Sequence, residues 1–237
     1  MTQHRVLITG GGRGIGRAIA LRFAREGAKV CVAARSSDQL DSVVAEINEA
    51  GGVGLAAQLN LGDVGDVGAA VWRCFEFTDG ALDVLVNNAG VFEVKPFDKM
   101  DASTWTRMID VNLNGPFYVT LESLEALEQS ERAHIFNVSS IAGLQGFPGN
   151  TAYCASKYGL RGFSDALRLD LAERGIRVTT IYPGPTDTSI FDKVEGDFDR
   201  SKMNKPEDVA EAIWNAYTSP ADADVNDIEI ASPVSAG

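Results

Sequence analysis

Arg5-Val6-Leu7-Ile8-Thr9-Gly10-Gly11-Gly12-Arg13-Gly14-Ile15-Gly16 decides the fold of this chain. After Arg5 the first four residues are aliphatic or β-branched with little polar alternation, the pattern of a strand buried on both faces. Glycines follow at once. Beyond them, from about Arg17 to Glu26, apolar residues recur every three or four positions, which predicts a helix. Glycine permits a tight turn there, and it lets backbone N–H groups and the helix N-terminus approach an anion such as a pyrophosphate. The spacing is T-G-x-x-x-G-x-G, and no three glycines fall at i, i+2 and i+5.

The same alternation continues outward to the end of the chain. Apolar runs at 29–34, 53–59, 82–86, 134–139, 177–182 and 227–230 join 5–9 as predicted strands. Helical periods occupy 17–26, 38–50, 64–77, 102–128, 152–174 and 206–218. Glycines at 27 and 51 read as helix ends, and Pro206 as a first-turn proline. Strand and helix in strict succession predict an α/β protein: a doubly wound, seven-stranded parallel sheet with helices on both faces. No repeat or linker interrupts 1–237, so one domain is expected, with a short lid segment at about 188–204.

Composition removes several function classes. A formal net charge of −12 argues against nucleic acid or an anionic membrane as partner, because both demand a basic surface. No apolar run approaches spanning length and the N-terminus has no signal-like core, so a cytoplasmic location is expected. Cys31, Cys74 and Cys154 are scattered, as reduced thiols are. With only His4 and His134, neither a metal site nor a Ser-His-Asp triad has candidates.

Two features carry chemistry. About twenty residues beyond the glycines, a dinucleotide-binding fold places an acid on a ribose 2′-hydroxyl or an arginine on a 2′-phosphate. Here the second strand ends in Ala34-Arg35-Ser36-Ser37, and Asp38 comes late, as a cap of the next helix. Arg35, with Ser36 and Arg13, favours NADP(H), with NAD(H) possible. Further on, Tyr153 and Lys157 stand four apart on one helix face, with Ser140 thirteen residues upstream of the tyrosine. A neighbouring ammonium favours the phenolate and lowers a tyrosine pKa from about 10, which suits proton transfer near neutrality.

Taken together, the glycine loop, Asn87-Asn88-Ala89-Gly90, Ser140 and Tyr153/Lys157 resemble the classical short-chain dehydrogenase/reductase family, over nearly the whole chain. The resemblance implies a Rossmann fold and an NADP(H)-dependent oxidoreductase that interconverts a small-molecule carbonyl and an alcohol. It implies Asn112, Ser140, Tyr153 and Lys157 as catalytic positions. Tyr153 would be the general acid/base, Ser140 would stabilise the alkoxide, Lys157 would bind the nicotinamide ribose, and Asn112 would interrupt a helix and hold a water. Ser139 would be structural. Cofactor contacts are implied at Gly10, Gly12, Arg13, Gly14, Ile15, Gly16, Arg35, Ser36, Asn60, Leu61, Asn88, Ala89, Gly90, Pro183, Gly184, Thr186 and Thr188, besides Tyr153 and Lys157. Thr186 and Thr188 would hold the carboxamide. One departure is Asn60, where the family often has an aspartate facing adenine.

The substrate pocket is expected from Val91, Phe92 and Val94, from Gly143, Leu144 and Phe147, and from the lid. In that lid Ile190, Phe191 and Phe198, with Asp192, Glu195, Asp197 and Asp199, form an amphipathic segment. The aromatic residues suggest an apolar carbonyl compound. Segments 102–128 and 152–174 form the dimer surface in related enzymes, so a homodimer or homotetramer is expected. Alternative readings are an NAD-linked secondary-alcohol or polyol dehydrogenase, a catalytically silent NADP-binding regulator, and a sugar-nucleotide epimerase or dehydratase.

Overall fold

The computed structural model describes residues 3–192, 199–220, 223 and 225–232. In chain order the elements are β1 (Arg5–Thr9), α1 (Gly14–Ala24), β2 (Lys29–Ala34), α2 (Ser37–Glu49), β3 (Val53–Gln58), α3 (Val64–Phe77) and β4 (Val84–Asn87). They continue with α4 (Ala102–Ile109), α5 (Gly115–Glu128), β5 (His134–Val138), α6 (Thr151–Leu171), β6 (Arg177–Pro183), α7 (Pro206–Thr218) and β7 (Asp227–Ile230). Among the described residues the seven strands form one all-parallel sheet in the order β3-β2-β1-β4-β5-β6-β7. The chain winds outward from β1 to one edge, then returns and winds from β4 to the other. The expected doubly wound Rossmann architecture is present.

Alternation along the strands splits the core into two halves. Val6 and Ile8 of β1 face the same side as Val30 and Val32 of β2, and there meet Ile19 and Phe23 of α1, Val43 and Ile47 of α2, and Ile213 and Tyr217 of α7. Leu7, Cys31, Leu85 and Ile135 face the opposite side and pack on Val67 and Cys74 of α3, Val119 and Leu127 of α5, and Leu171 of α6. Each such aliphatic side chain contributes about 1.5–3 kcal/mol by leaving water. Because helices cover both faces, the central strands are apolar throughout, which is why they read as continuous runs.

Three expectations are corrected. The periodic segment 102–128 is two helices, α4 and α5, joined by a π-helical turn over Asp110–Asn114. A turn of this kind inserts one residue without breaking the helix, so hydrophobic periodicity does not reveal it. Asp38 does not cap α2: Ser36 occupies the cap position, and Asp38 sits in the first turn, where its charge favours the helix dipole. The fourth strand begins at Val84, two residues later than expected. In the lid, short 3₁₀ turns form at Ser189–Phe191 and Arg200–Lys202, and Arg200 pairs with both Asp187 and Asp192. Glu195, Asp197 and Phe198 lie outside the described residues.

Candidate functional site

A cleft of about 910 Å³ opens over the carboxyl ends of the strands, at the β1/β4 switch point. Its floor is the loop between β1 and α1. Gly14 stands at φ +53°, and its absent side chain leaves room for Thr188, whose Cγ2 would lie 3.1 Å from a Cβ there. Gly16 is required for a different reason. A Cβ at that position would come 2.3 Å from the Gly10 carbonyl oxygen and 2.6 Å from Asn88 Nδ2. The loop is therefore pressed against the segment after β4, and hydrogen bonds fix the contact. Asn88 Nδ2 donates to the carbonyls of Thr9 (2.9 Å) and Gly10 (3.3 Å), and the N–H groups of Asn88 and Ala89 both donate to Thr9 Oγ1 at 3.1 Å. Asn87, one residue earlier, points into the sheet and bonds Thr120 and Asn137.

The structure brings most of the expected positions to this cleft. Gly10, Gly12, Arg13, Gly14, Ile15, Arg35, Ser36, Asn60, Leu61, Asn88, Ala89, Gly90, Pro183, Gly184, Thr186 and Thr188 line it, with Ser140, Tyr153 and Lys157. Gly16 supports the loop from behind, and Asn112 is fully buried beneath the wall. Asn60 spends its acceptor locally, taking the Gly62 N–H at 3.2 Å. The Thr186 hydroxyl donates to the Gly184 carbonyl at 2.9 Å.

The charge of the lining is its most telling property. Among the described residues the wall holds Arg13, Arg35 and Lys157, and no carboxylate, in a protein whose formal net charge is −12. Asp38 lies in a separate recess with Arg17, Gln39 and Glu46. A Cβ-free cradle, backbone N–H groups at a helix start and an exclusively cationic wall fit a polyphosphate-bearing dinucleotide.

At the far end of the cleft, α6 presents Tyr153 and Lys157 on one face. Ser140, just beyond β5, takes an N–H bond from Ala142 at 3.1 Å, and its hydroxyl is near enough to the Tyr153 phenol to favour the phenolate. Lys157 Nζ donates to the Val138 carbonyl at 2.8 Å and lies 5.8 Å from the centre of the Tyr153 ring. Ser139 instead donates to the Lys157 carbonyl, holding α6 against β5. The expected lowering of the tyrosine pKa is not what this geometry gives. Burial pushes the Tyr153 phenol up to about 12, and the Ser140 hydroxyl only pulls against that. Burial also pushes Lys157 down to about 8. Desolvation is the largest cause for both groups.

Beyond Tyr153 the wall is apolar. The Phe92 ring meets Tyr153 edge-on at 4.7 Å and Phe191 at 6.0 Å, and Phe147, Ile141 and Ile190 complete the surface. Val94, Gly143 and Leu144 do not reach the cleft; Gly143 is buried against Ser139 and α6. Sequence reading missed Gln39, Gln145, Asn150 and Ala142 as lining residues. Gln39 follows Ser36 by three positions at the start of a helix, a spacing that places it over the loop. The others flank Ser140 and Tyr153 without a signal of their own. Among the described residues no cluster of His, Cys, Asp and Glu could hold a metal ion, and no helix is long and apolar enough to cross a membrane.

Comparison with known proteins agrees with this geometry. The short chain dehydrogenase family matches residues 4–198. A 3-oxoacyl-[acyl-carrier-protein] reductase of Synechocystis is 34% identical over 229 residues, covering 94% of this chain and 92% of its own. A 3beta-hydroxysteroid dehydrogenase of Mediterraneibacter gnavus is 38% identical over 193 residues, covering 81% and 69%. An alcohol dehydrogenase of the archaeon Thermococcus sibiricus, solved with 5-hydroxy-NADP, superposes with a TM-score of 0.89 at 26% identity, covering 97% of this chain and 96% of that one. The chain belongs to the classical short-chain dehydrogenase/reductase family and is an oxidoreductase.

Proposed function

We propose that the protein is an NADP(H)-dependent oxidoreductase that reduces an apolar ketone or aldehyde to the alcohol, or carries out the reverse. The observation that carries this reading is the cleft itself: a Ser140–Tyr153–Lys157 constellation at one end and a carboxylate-free cationic wall at the other. A bound nicotinamide supplies or accepts the hydride. Gly10, Gly12, Gly14, Ile15 and Gly16 form the pyrophosphate cradle, with Asn88, Ala89 and Gly90 beside it. Arg35, Ser36 and Arg13 hold the 2′-phosphate, and their guanidinium groups favour NADP(H) over NAD(H). Asn60 and Leu61 face the adenine, while Pro183, Gly184, Thr186 and Thr188 border the nicotinamide end.

The protein's own groups then do the proton chemistry. The Ser140 and Tyr153 hydroxyls donate to the carbonyl oxygen and stabilise the alkoxide that develops there. Tyr153 hands over its proton as general acid, and in reverse it takes the alcohol proton. A phenol that burial holds up at about 12 gives up its proton less readily, and a cation at Lys157 favours the phenolate left behind. Phe92, Phe147, Ile190 and Phe191 exclude water and accommodate an apolar substrate body. Exposed Phe117, Leu121 and Leu169 on α5 and α6 support association of copies through these helices, and three free cysteines support a reducing, cytoplasmic setting.

The decisive assay follows NADPH oxidation across a panel of ketones, aldehydes, diketones and β-ketoacyl thioesters. Turnover of at least one is expected, with Tyr153→Phe slowed at least the 10²–10⁴-fold typical of a lost general acid. Near-wild-type turnover by Tyr153→Phe refutes the assignment of the acid, and a silent wild type across the panel refutes the enzyme reading.

A further inference from the structure

We propose that Ser156 is a positioning residue for this reaction, tying the backbone of Tyr153 to the loop after β4 through Asn112. The proposal rests on the function proposed above. Ser156 is fully buried. Its hydroxyl donates to the Tyr153 carbonyl at 2.7 Å and accepts from Asn112 Nδ2 at 3.1 Å. Asn112 has no donor left over. Its other Nδ2 bond goes to the Val91 carbonyl at 2.9 Å, and its Oδ1 takes the Val91 N–H at 2.8 Å.

These bonds close a ring of contacts. Val91 precedes Phe92, whose ring packs edge-on against the Tyr153 ring at 4.7 Å. Tyr153 is thus held at its backbone by Ser156 and at its phenol by Phe92, and both holds run through Asn112. The π-helical turn at Asp110–Asn114 makes this possible by carrying Asn112 inward. Gly90 stands at the junction: a Cβ there would lie 3.5 Å from Asn112 Oδ1 and 3.8 Å from Lys157 Nζ. One amide therefore ties the loop after β4 to the backbone of the tyrosine.

Ser156 does not serve its own helix. A hydroxyl that bonds back to the carbonyl one turn earlier competes with the helical ladder, and serine is a poorer helix former than alanine. Alanine at 156 should therefore leave α6 at least as helical while cutting the tie to Asn112. A purely structural serine and a positioning serine give different results under that substitution.

The test compares wild type, Ser156→Ala and Ser156→Cys with a carbonyl substrate and NADPH, alongside amide hydrogen exchange. Misplacing a reacting group by about 1 Å costs up to 10²-fold in rate, and a loosened tyrosine should cost about 10-fold. We expect kcat to fall about 10-fold in Ser156→Ala, with both KM values within twofold and the thermal midpoint lowered by about 2–12 °C, the cost of one orphaned Asn112 N–H, so that the enzyme stays fully folded at the assay temperature. Ser156→Cys, which keeps a weak donor, should recover part of kcat. The Val91 amide should exchange about 10-fold faster in Ser156→Ala. A kcat within twofold of wild type, a loss that tracks the folded fraction, or an unaltered Val91 exchange rate overturns the proposal. If no carbonyl is turned over by wild type, the function reading fails separately, and Val91 exchange alone decides whether the tie exists.

Discussion

Replacing Gly16 by alanine puts a methyl group where the loop has no room. Its Cβ would approach the Gly10 carbonyl oxygen to 2.3 Å, inside the 3.0 Å that real Cβ atoms respect by 0.7 Å. Asn88 Nδ2 at 2.6 Å and the Gly10 carbonyl carbon at 2.9 Å block the neighbouring directions. Two of the three obstacles are backbone, so relief requires sliding the start of α1 away from β1. Overpacking of this kind costs about 1–3 kcal/mol, and a backbone collision belongs at the upper end. For a chain of this length, about 3 kcal/mol lowers the thermal midpoint by about 6–12 °C. The control is Gly12→Ala, where the new Cβ meets only Gln39, 3.2 Å from its Cβ and 3.8 Å from its carbonyl carbon. A shift of a few tenths of an ångström at the start of α2 relieves that contact, and the stiffer unfolded chain offsets the crowding, so Gly12→Ala should stay within about 1 kcal/mol of wild type. Thermal unfolding by circular dichroism reads both. A Gly16→Ala midpoint within 2 °C of wild type, or a Gly12→Ala loss as large, refutes the reasoning.

Two further outcomes follow from charge and burial. Replacing Arg35 by alanine removes a charge-assisted bond worth about 1.5–3 kcal/mol, so NADPH affinity should fall about 10–100-fold. NADH affinity should move less than twofold, as read by fluorescence titration; equal losses for both cofactors would place Arg35 away from the 2′-phosphate. His134 is buried with Nε2 bonded to Thr179 Oγ1 at 2.7 Å, while its Nδ1 has no partner among the described residues. Burial, with Arg177 beside it, holds its pKa well below 6.5. The unfolded state then binds the extra proton first, so the stability from keeping His134 neutral is complete above pH 6.5 and is lost as pH falls below it. Urea unfolding from pH 7 to pH 5 should show this slope, and His134→Gln should flatten it. An unchanged slope in the variant would assign the effect elsewhere, His4 being the other histidine with a lowered pKa.

Much of the fold was legible because its signals are local. The strands at 5–9, 29–34 and 227–230 and the helices at 64–77 and 206–218 coincide with the structure at both ends, since buried parallel strands and amphipathic helices carry their burial in their periodicity. The β1 loop was legible for the same reason: its glycines adjoin the strand and helix that they connect. What the sequence hides depends on partners distant along the chain. The one-residue insertion at Asp110–Asn114 leaves the apolar stripe of 102–128 intact on either side, so periodicity hides the break between α4 and α5, and only the resemblance placed an interruption at Asn112. Asn112 was identified through resemblance, yet its three hydrogen bonds to Val91 and Ser156 needed coordinates. The tyrosine illustrates a different limit. Spacing shows that Lys157 is near Tyr153, whereas the direction of the pKa depends on how deeply both are buried, and burial reversed the expectation.

The clamp between the β1 loop and the segment after β4 bears on how the chain acquires its cleft. The bonds that join Thr9 and Gly10 to Val86, Asn88 and Ala89 span 77 to 80 residues. The β1–β2 and β4–β5 pairs close shorter loops, so each half of the sheet can assemble by more local steps than the β1–β4 seam that unites them. Loop-closure entropy makes such distant pairings late and slow. The cradle at that seam therefore exists only in molecules whose two halves have already joined. A dinucleotide bound there would reward the completed sheet alone, and a cofactor pool would then act as a thermodynamic latch on the final step of folding.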